Sequence, residues 1–505
     1  MKKFLSMLIC GLLVAISVCG CEKVDPEYEA MKTATRSGWK LSAPAYMNGT
    51  LAFNANSVGP GMDMDISDKN SAIMQVVSNT TRADFDAYRT NLVANDYALV
   101  AENAVGSSIF VSYAKADDIV YAYHIGDAAR SQIIVDKVSD KETDFEYTYT
   151  PTADDTTTFY QYAIANDPLG SGDGLWSGKK YSDNGMFYVV KFADDSVMLI
   201  DGGSGKQATA ETTSALVDFL YEITGKNKSA GEKVRVSLAF ISHAHGDHYG
   251  FIRNLARDYT ANFEFERFAY NFPMTGYEAS YKNIGTMFQT NYPNAKYMKL
   301  HTGQKIQLAN GVIDVVTTHE DLINPLSGGP IWGDRNYSST MLKITLNGKS
   351  FFMMADWGGS NATKEMENCS AILFDLYREN GAYPFLKADV VQVGHHGLNE
   401  FSAVLNEVQA KTALIPQADA DWYGYLGQTV DGVQASRAQE YINSTNDAIA
   451  AGATEVYFQS RNTHAFTVDL NGTITHTSEA IRGVPQEYLD LLAKYRPFVM
   501  PTANN

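Results

Sequence analysis

The stretch Ile241-Ser242-His243-Ala244-His245-Gly246-Asp247-His248 is the most informative part of this chain. It places three of the ten histidines and an aspartate within six residues. A strand-like apolar run over 234–241 precedes this cluster, and a helix-like run over 249–259 follows it. Imidazole nitrogens and a carboxylate on one short turn form the mixed ligand set that transition metals such as zinc bind. The stretch therefore predicts a metal site where a strand gives way to a helix.

Outward from this cluster, the chain from about residue 159 alternates between strand-like and helix-like runs. Asn347-Gly348 lies between two apolar runs and is a strong signal for a two-residue hairpin turn, and Asn471-Gly472 repeats the signal. Helices are expected over 208–224, 363–379, 403–409 and 435–451. Two sheets covered on their outer faces by helices form the most economical architecture for this pattern.

The segment before residue 150 has a different pattern, which predicts a small α+β domain over 38–148. Thr81 is expected to cap a helix over 82–95, with Asp84 in the capping-box position. Short strand-like runs with turn residues between them predict an antiparallel meander, covered on one face by that helix. The polar run 150–158 is expected to link the two domains.

Four motifs occur in an order that resembles the metallo-β-lactamase fold superfamily, over roughly residues 160–480. They are Leu199-Ile200-Asp201-Gly202-Gly203, the histidine-rich stretch, Ala355-Asp356 after a strand, and Val393-Gly394-His395-His396-Gly397. The last motif is similar to the extracellular domain of DNA-uptake competence channels. The resemblance implies an α/β fold, a four-layer αββα sandwich over 159–480, followed by a C-terminal helical tail over 481–505.

The resemblance also implies two divalent transition-metal ions, with Zn²⁺ as the expected metal and Mn²⁺ or Fe²⁺ as alternatives. His395 is favoured over His396 as the last ligand because it comes first after its strand. Asp201 would support the metal loop through hydrogen bonds. The implied ligands are His243 and His245 for the first ion, Asp247, His248 and His395 or His396 for the second, and Asp356 shared between them.

The sequence leaves three alternatives for the third ligand of the first ion. Many members of the superfamily carry a histidine shortly before the shared aspartate, but here that region reads Arg335-Asn336-Tyr337-Ser338-Ser339. Asn336 could contribute its carbonyl oxygen, His319 could reach the ion from upstream, or the site could lack this ligand. A site with a missing ligand would hold its metal weakly.

The N-terminus predicts export and a lipid anchor. Met1-Lys2-Lys3 and the apolar run 4–18 form a signal peptide over 1–21, too short to be a comfortable membrane span. Val18-Cys19-Gly20-Cys21 resembles the bacterial lipobox with Cys21 as the lipidated residue; an ordinary cleaved signal is the alternative. Residues 22–37 would form a tether that holds the exported domains off the membrane.

The charge limits the partners. The chain carries 40 basic and 58 acidic residues, and losing Lys2 and Lys3 with the signal changes the net charge from −18 to −20. Because such a field repels polyanions, nucleic acid is not expected as a partner. A small-molecule or surface-presented substrate is expected instead.

These features together predict a surface-anchored metal-dependent hydrolase. A metal-activated hydroxide would attack a phosphodiester or another phosphoryl substrate. Asp247, Asp201 and Asn336 are the candidate catalytic residues, with Asp247 as a possible base. An alternative enzymatic function is hydrolysis of a lactone, amide or thioester. The non-enzymatic alternative is a binding protein that holds metal without turnover.

Overall fold

The computed structural model describes residues 73–493, together with 26, 27, 30, 31 and 500; within 73–493 it omits 79, 117, 127–128, 138–145, 154, 167–183, 272–278, 323–334, 359–363, 380–382, 399–401, 419–428, 431–432 and 435–437. The expected signal peptide with Cys21, and most of the expected tether, lie outside the described residues. Within the described part, no helix is both long and apolar enough to span a membrane.

Residues 73–137 form an antiparallel five-stranded sheet with one helix packed on one face, as predicted. Along the sheet the strand order is β1-β5-β4-β3-β2. The elements are β1 (Ile73–Ser78), α1 (Arg82–Ala94), β2 (Ala98–Val105), β3 (Ser108–Lys115), β4 (Asp118–Ile125) and β5 (Arg130–Lys137).

Helix α1 begins with the predicted capping box. The Thr81 hydroxyl accepts a hydrogen bond from the Asp84 backbone at 3.1 Å, and the Asp84 carboxylate accepts one from the Thr81 backbone at 2.8 Å. Phe85, Tyr88 and Leu92, which share one helix face, are buried against the sheet. The cap and the apolar face therefore fix where the helix begins and which side it buries.

The strands of the larger domain are β6 (Glu146–Thr148), β7 (Thr157–Gln161), β8 (Phe187–Lys191), β9 (Val197–Asp201), β10 (Val234–Ile241), β11 (Phe263–Phe265), β12 (Arg267–Tyr270), β13 (Lys296–Lys299), β14 (Lys305–Ala309), β15 (Gly311–Thr317), β16 (Met341–Leu346), β17 (Lys349–Met353), β18 (Val390–Gln392), β19 (Thr412–Ile415), β20 (Thr429–Val430), β21 (Val433–Gln434), β22 (Glu455–Phe458), β23 (Asn462–Val468) and β24 (Ile474–Ala480). Its helices are α2 (Ala210–Thr224), α3 (Gly250–Asp258), α4 (Ala279–Asn291), α5 (Lys364–Glu379), α6 (Tyr383–Leu386), α7 (Ser402–Val408), α8 (Ala438–Ala450) and α9 (Gln486–Ala493).

Most of these strands form two sheets that pack face to face. The first has the order β13-β12-β10-β9-β8-β7-β23-β24, with β11 also beside β10, and the second has the order β22-β19-β18-β17-β16-β15-β14-β6. Apolar side chains of both sheets share one core between them, where the rings of Phe159 and Phe351 stack at 4.4 Å. Helices α2, α3 and α4 cover the outer face of the first sheet, and α5, α7 and α8 cover that of the second. The predicted αββα fold class is thus confirmed.

The two Asn-Gly turns differ. Asn347 and Gly348 adopt φ of 46° and 82° between paired strands β16 and β17, as a two-residue hairpin turn requires. At Asn471-Gly472 the last paired residues of the two strands are Val468 and Ile474, so the loop between them has five residues rather than two. The Asp469 carboxylate accepts hydrogen bonds from backbone groups within this loop and thereby favours the longer turn.

Two strands lie at the expected domain boundary. Strand β6 occupies the last three residues of the expected small domain, 38–148, and pairs in parallel with β14 of the larger domain, whereas the last strand of the small sheet ends at Lys137. Strand β7 begins at Thr157, inside the expected linker and before the expected domain start at residue 159. Met31 of the expected tether is fully buried in the apolar cluster that contains Cys369. This part of the tether therefore packs on the folded chain, because its apolar side chain is removed from water.

The last described helix also packs on the larger domain. Tyr488 and Leu492 of α9 lie in one cluster with Ala163 and Ala165. The expected C-terminal tail thus contains a short helix that docks beside the start of the first sheet.

The face of the small sheet opposite α1 packs on the larger domain. Tyr123 donates a hydrogen bond to the buried Asp321 carboxylate, and Gln132 donates one to the Glu320 carbonyl at 3.0 Å. Nearby, a cavity of about 390 Å³ opens between strands β2 to β4 and residues 302–307. The cavity belongs to the junction of the two domains.

His464 and His476, on the paired strands β23 and β24, contact each other away from the histidine-rich stretch. His464 Nδ1 lies 3.1 Å from His476 Nε2, and its Nε2 lies 3.1 Å from the Phe458 carbonyl. Burial, reinforced by the His476 imidazole, lowers the pKa of His464 to about 4. The folded protein therefore favours the neutral ring.

We expect His464 to destabilise the protein as the pH falls. The pKa of an unfolded histidine is about 6.5, above the folded value, so the unfolded state binds more protons and stability declines as the pH drops from about 6.5 toward 4. His464→Gln keeps a donor for Phe458 but does not titrate. Urea midpoints measured at pH 7 and pH 5 should differ less in this variant than in the unsubstituted protein. Equal differences would contradict the assignment.

Candidate metal centre

The histidine-rich stretch begins directly after β10, which is buried over most of its length and lies beside β9 in parallel. Because the two strands end at the same edge, Asp201 at the end of β9 reaches Ser242. The Asp201 carboxylate accepts hydrogen bonds from the Ser242 backbone at 2.8 Å and from its hydroxyl at 2.9 Å. It also lies 3.0 Å from His248 Nδ1, which turns Nε2 of that ring toward the cluster. Asp201 thus orients the histidine loop rather than lying at its open side.

The two loops are also joined through backbone. Gly250 and Phe251 donate to the carbonyls of Gly203 and Gly202, each at 2.7 Å. A β-carbon on Gly250 would lie 2.4 Å from the Ser204 carbonyl oxygen, so only glycine permits this approach. The start of α3 is thereby fixed against the Asp201 loop.

Asp356 brings a carboxylate from the second sheet to the same place. It follows β17 through Ala355, whose φ of 50° is left-handed, and its backbone donates to the Ser339 hydroxyl at 3.2 Å. Its Oδ2 lies 3.2 Å from His248 Nε2 and 3.5 Å from His243 Nε2. One carboxylate oxygen therefore faces two imidazoles of the first sheet.

The paired histidines divide their roles. His396 Nε2 lies 3.3 Å from Asp356 Oδ2 and 3.5 Å from Asp247 Oδ2. His395 turns away: its Nδ1 lies 2.8 Å from the Leu398 carbonyl and its Nε2 lies 3.0 Å from Asn336 Nδ2. The position directly after the strand favours His395 as the ligand, but the structure places His396 in the cluster. Left-handed φ values of 45° and 55° at the two residues turn the second ring, not the first, toward the carboxylates.

The ligand atoms of His243, His248 and Asp356 lie within 4.8 Å of one another, and so do those of Asp247, His248 and His396. His245 adjoins the first group, with its Nδ1 at 3.1 Å from His243 Nε2. Six of the seven residues expected to bind metal therefore meet, with His395 as the exception. Along the quoted stretch, His243 and His248 are fully buried, whereas His245, Gly246 and Asp247 reach the surface.

Carboxylates and imidazoles in this cluster shift each other's pKa values. Burial alone would raise the pKa of Asp356 and Asp247, but imidazoles of His396 and His248 hold both pKa values well below the usual range. Burial alone would lower the pKa of His396, but Asp356 and Asp247 raise it to about 9. The same carboxylates, with Asp201, raise the pKa of His248. By contrast, burial and the neighbouring His248 lower the pKa of His243.

The donor set fits a transition metal. Within the described residues, Asp356 Oδ1 and His396 Nδ1 are buried and receive no hydrogen bond. A buried carboxylate oxygen without a partner is costly unless a cation or water satisfies it. Imidazoles and carboxylates are the ligands of zinc sites that stay open to substrate, whereas closed structural sites are rich in cysteine. Asp356, Asp247, His243, His245, His248 and His396 would hold the metal.

The two expected candidates for the missing ligand are both buried. The amide nitrogen of Asn336 lies 3.0 Å from His395 Nε2. His319 is fully buried beside Glu320, and burial lowers the pKa of His319 to about 4. Ser242 and Ser339 both lie in the motif stretches quoted above, but their hydrogen bonds to Asp201 and Asp356 were not predicted from the sequence.

Asp201 is expected to influence metal affinity without binding the ion. Asp201→Asn replaces one acceptor oxygen by an NH₂ group and so disturbs the bonds to His248 and Ser242. Loss of such a supporting group lowers metal affinity by about 10–100-fold. Zinc affinity can be measured by competition with a chromophoric chelator. Asp218→Asn, at an exposed acid paired with Lys228, is the matched control and should bind zinc as the unsubstituted protein does. Equal affinity in both variants would contradict the role of Asp201.

No protein-family model matches the chain, and no curated protein matches it in sequence. Among solved structures, the metallo-β-lactamase fold protein YhfI from Bacillus subtilis is 14% identical, with 64% of this chain and 100% of YhfI covered and a TM-score of 0.34. CmlA, a diiron β-hydroxylase from Streptomyces venezuelae, is 11% identical, with 64% of this chain and 55% of CmlA covered and a TM-score of 0.32. Both structural similarities are weak.

Proposed function

We propose that this protein is a metal-dependent hydrolase of the metallo-β-lactamase superfamily and that its substrates are phosphodiesters or other phosphoryl compounds. One observation carries the proposal: His243, His248 and His396 converge on a single oxygen of Asp356 at 3.2–3.5 Å. These residues come from three separate loops of two sheets. Apolar packing does not require a convergence of this kind, and it suits one or two cations.

The residues of such a site would have different roles, in binding the metal and in holding its ligands in place. Bound zinc would lower the pKa of a coordinated water toward neutrality and supply a hydroxide nucleophile. Asp247, whose side chain is 31% exposed, lies at the open side of the cluster, where a substrate can approach. Because its pKa is held low, Asp247 is better suited to bind a cation than to take up a proton. Asp201 contacts His248, and Asn336 contacts His395, so both side chains would hold neighbouring residues of the site in place.

The choice of substrate rests on two features of the chain. The motif Val393-Gly394-His395-His396-Gly397, with Asn336 upstream, is similar to the competence-type branch and favours phosphoryl chemistry. A net charge of −18 disfavours long nucleic acid, because affinity for a polyanion depends on Lys and Arg neutralising its phosphates. Small or surface-presented phosphodiesters satisfy both constraints.

We expect the full chain, purified in detergent and loaded with zinc, to hydrolyse a chromogenic phosphodiester but not duplex DNA. Asp247→Ala should lower the rate by about 100-fold or more, since removal of a ligand disturbs the nucleophile. Removal of the metal by a chelator should abolish activity, and zinc should restore it. Asp218→Ala is the control for loss of an acidic side chain.

Three results would redirect the proposal. Activity on a lactone, amide or thioester but not on the phosphodiester would assign the alternative hydrolase. Tight, salt-sensitive binding of DNA with cleavage would contradict the charge argument. Bound metal without turnover on any of these substrates would favour a metal-holding binding protein.

We further propose that the protein is exported and anchored to a bacterial membrane through lipid on Cys21. The lipobox-like Val18-Cys19-Gly20-Cys21 supports this proposal. Cys21→Ser should move the protein from the membrane fraction to the soluble fraction, whereas Cys19→Ser should leave it in the membrane. Membrane retention of the Cys21 variant would overturn the anchor.

A further inference from the structure

We infer that His395 and Asn336 form a positioning pair that holds the turn carrying His396, and that the His395 ring does not bind metal. The inference rests on the metal site of the proposed function and gives His395 a positioning role in place of the ligand role that its sequence position favours.

Both ring nitrogens of His395 are engaged by the protein. The Leu398 carbonyl, 2.8 Å from Nδ1, can only accept a hydrogen bond, so Nδ1 carries the hydrogen. In the neutral ring Nε2 then has a lone pair, which faces Asn336 Nδ2 at 3.0 Å and accepts from it. A nitrogen used in this way offers no lone pair to a metal. The Leu398 carbonyl thereby fixes the tautomer, and the tautomer fixes the orientation of the Asn336 amide.

The turn needs such support because its backbone is unfavourable. His395, His396 and Gly397 are all left-handed, with φ of 45°, 55° and 77°. Side chains other than glycine rarely adopt this region, and two in succession persist only where the surroundings hold them. The His395 backbone donates to the Ala355 carbonyl at 3.0 Å, and within the turn Gly397 donates to the Gly394 carbonyl at 2.9 Å and Leu398 to the His395 carbonyl at 2.7 Å. The His395 ring adds two further contacts, to Leu398 and Asn336.

Asn336 connects this turn to a third loop. It lies in the short 3₁₀ turn Arg335–Ser338 and is 3% exposed. Ser339, which follows this turn, accepts a hydrogen bond from the Asp356 backbone at 3.2 Å. Residues 335–339 therefore hold Asp356 on one side and, through His395, His396 on the other. The pair sets the spacing of two ligands that come from different strands.

The first test compares His395→Asn, His395→Ala and His396→Asn by zinc stoichiometry and affinity. Asparagine tolerates left-handed φ and places an NH₂ group where Nδ1–H stood, so it can still donate to Leu398. We expect His395→Asn to keep the zinc stoichiometry of the unsubstituted protein and most of its affinity. His395→Ala should keep the stoichiometry but bind about 10–100-fold more weakly. His396→Asn should lose zinc equivalents.

Loss of zinc equivalents in both His395 variants, with full binding in His396→Asn, would overturn the inference. Equal weakening in His395→Asn and His395→Ala would also count against it, because the conservative variant would then have rescued nothing.

A second test addresses Asn336. Asn336→Asp has no NH₂ group to donate to His395 Nε2, so it should weaken zinc binding about as much as Asn336→Ala does. Tighter zinc binding in Asn336→Asp than in the unsubstituted protein would contradict the donor role.

A third measurement separates this inference from the proposed function. Nitrogen-15 NMR of histidine-labelled, metal-free protein, with His395→Asn used for assignment, should show the Nδ1–H tautomer at His395, and zinc should leave that signal unchanged. An Nε2–H tautomer would contradict the pair even if the protein binds metal. A protein that binds no zinc, yet shows the Nδ1–H tautomer, would refute the metal site and leave the hydrogen-bonded pair intact.

Discussion

The candidate metal site spans the two sheets, so its geometry depends on how those sheets pack. His243 and His248 follow β10 of the first sheet, whereas Asp356 follows β17 of the second. The 3.2 Å between His248 Nε2 and Asp356 Oδ2 is therefore set by the apolar core, in which Phe159 stacks on Phe351. Ligand geometry must be held to about 0.5 Å. A close-packed interior transmits small changes in volume, so core residues far from the ligands influence the site.

Left-handed backbone recurs where loops deliver their side chains to the cluster. Asp201, Ala355, His395 and His396 have φ between 45° and 58°. Each such residue costs about 1–3 kcal/mol, and clusters of them are typical of functional sites. Here the offsetting interactions are visible, since Asp201 accepts three hydrogen bonds or close polar contacts and His395 makes two. The site is rigid because hydrogen bonds and polar contacts connect these left-handed turns to neighbouring loops.

The sequence could predict what depends on local pattern. The strand before His243, the capping box at Thr81 and the αββα class follow from apolar periodicity and motif order, and the structure confirms them. It could not predict which of two adjacent histidines faces the carboxylates, because that choice depends on φ at His395 and on a hydrogen bond to Asn336, 59 residues away. The same limit applies to β6, whose three residues become a strand only by pairing with β14.

The contact between the small sheet and the larger domain bears on whether either could exist alone. Tyr123 bonds to the buried Asp321, and Phe110 packs so closely on Gly303 that a β-carbon there would lie 2.0 Å from its ring. Removing the residues up to Lys137 would expose the apolar cluster that Tyr123 shares with Val316. An exposed apolar surface of this kind promotes aggregation. The small sheet thus forms part of the core of the larger domain, and we expect a fragment that lacks this sheet to aggregate.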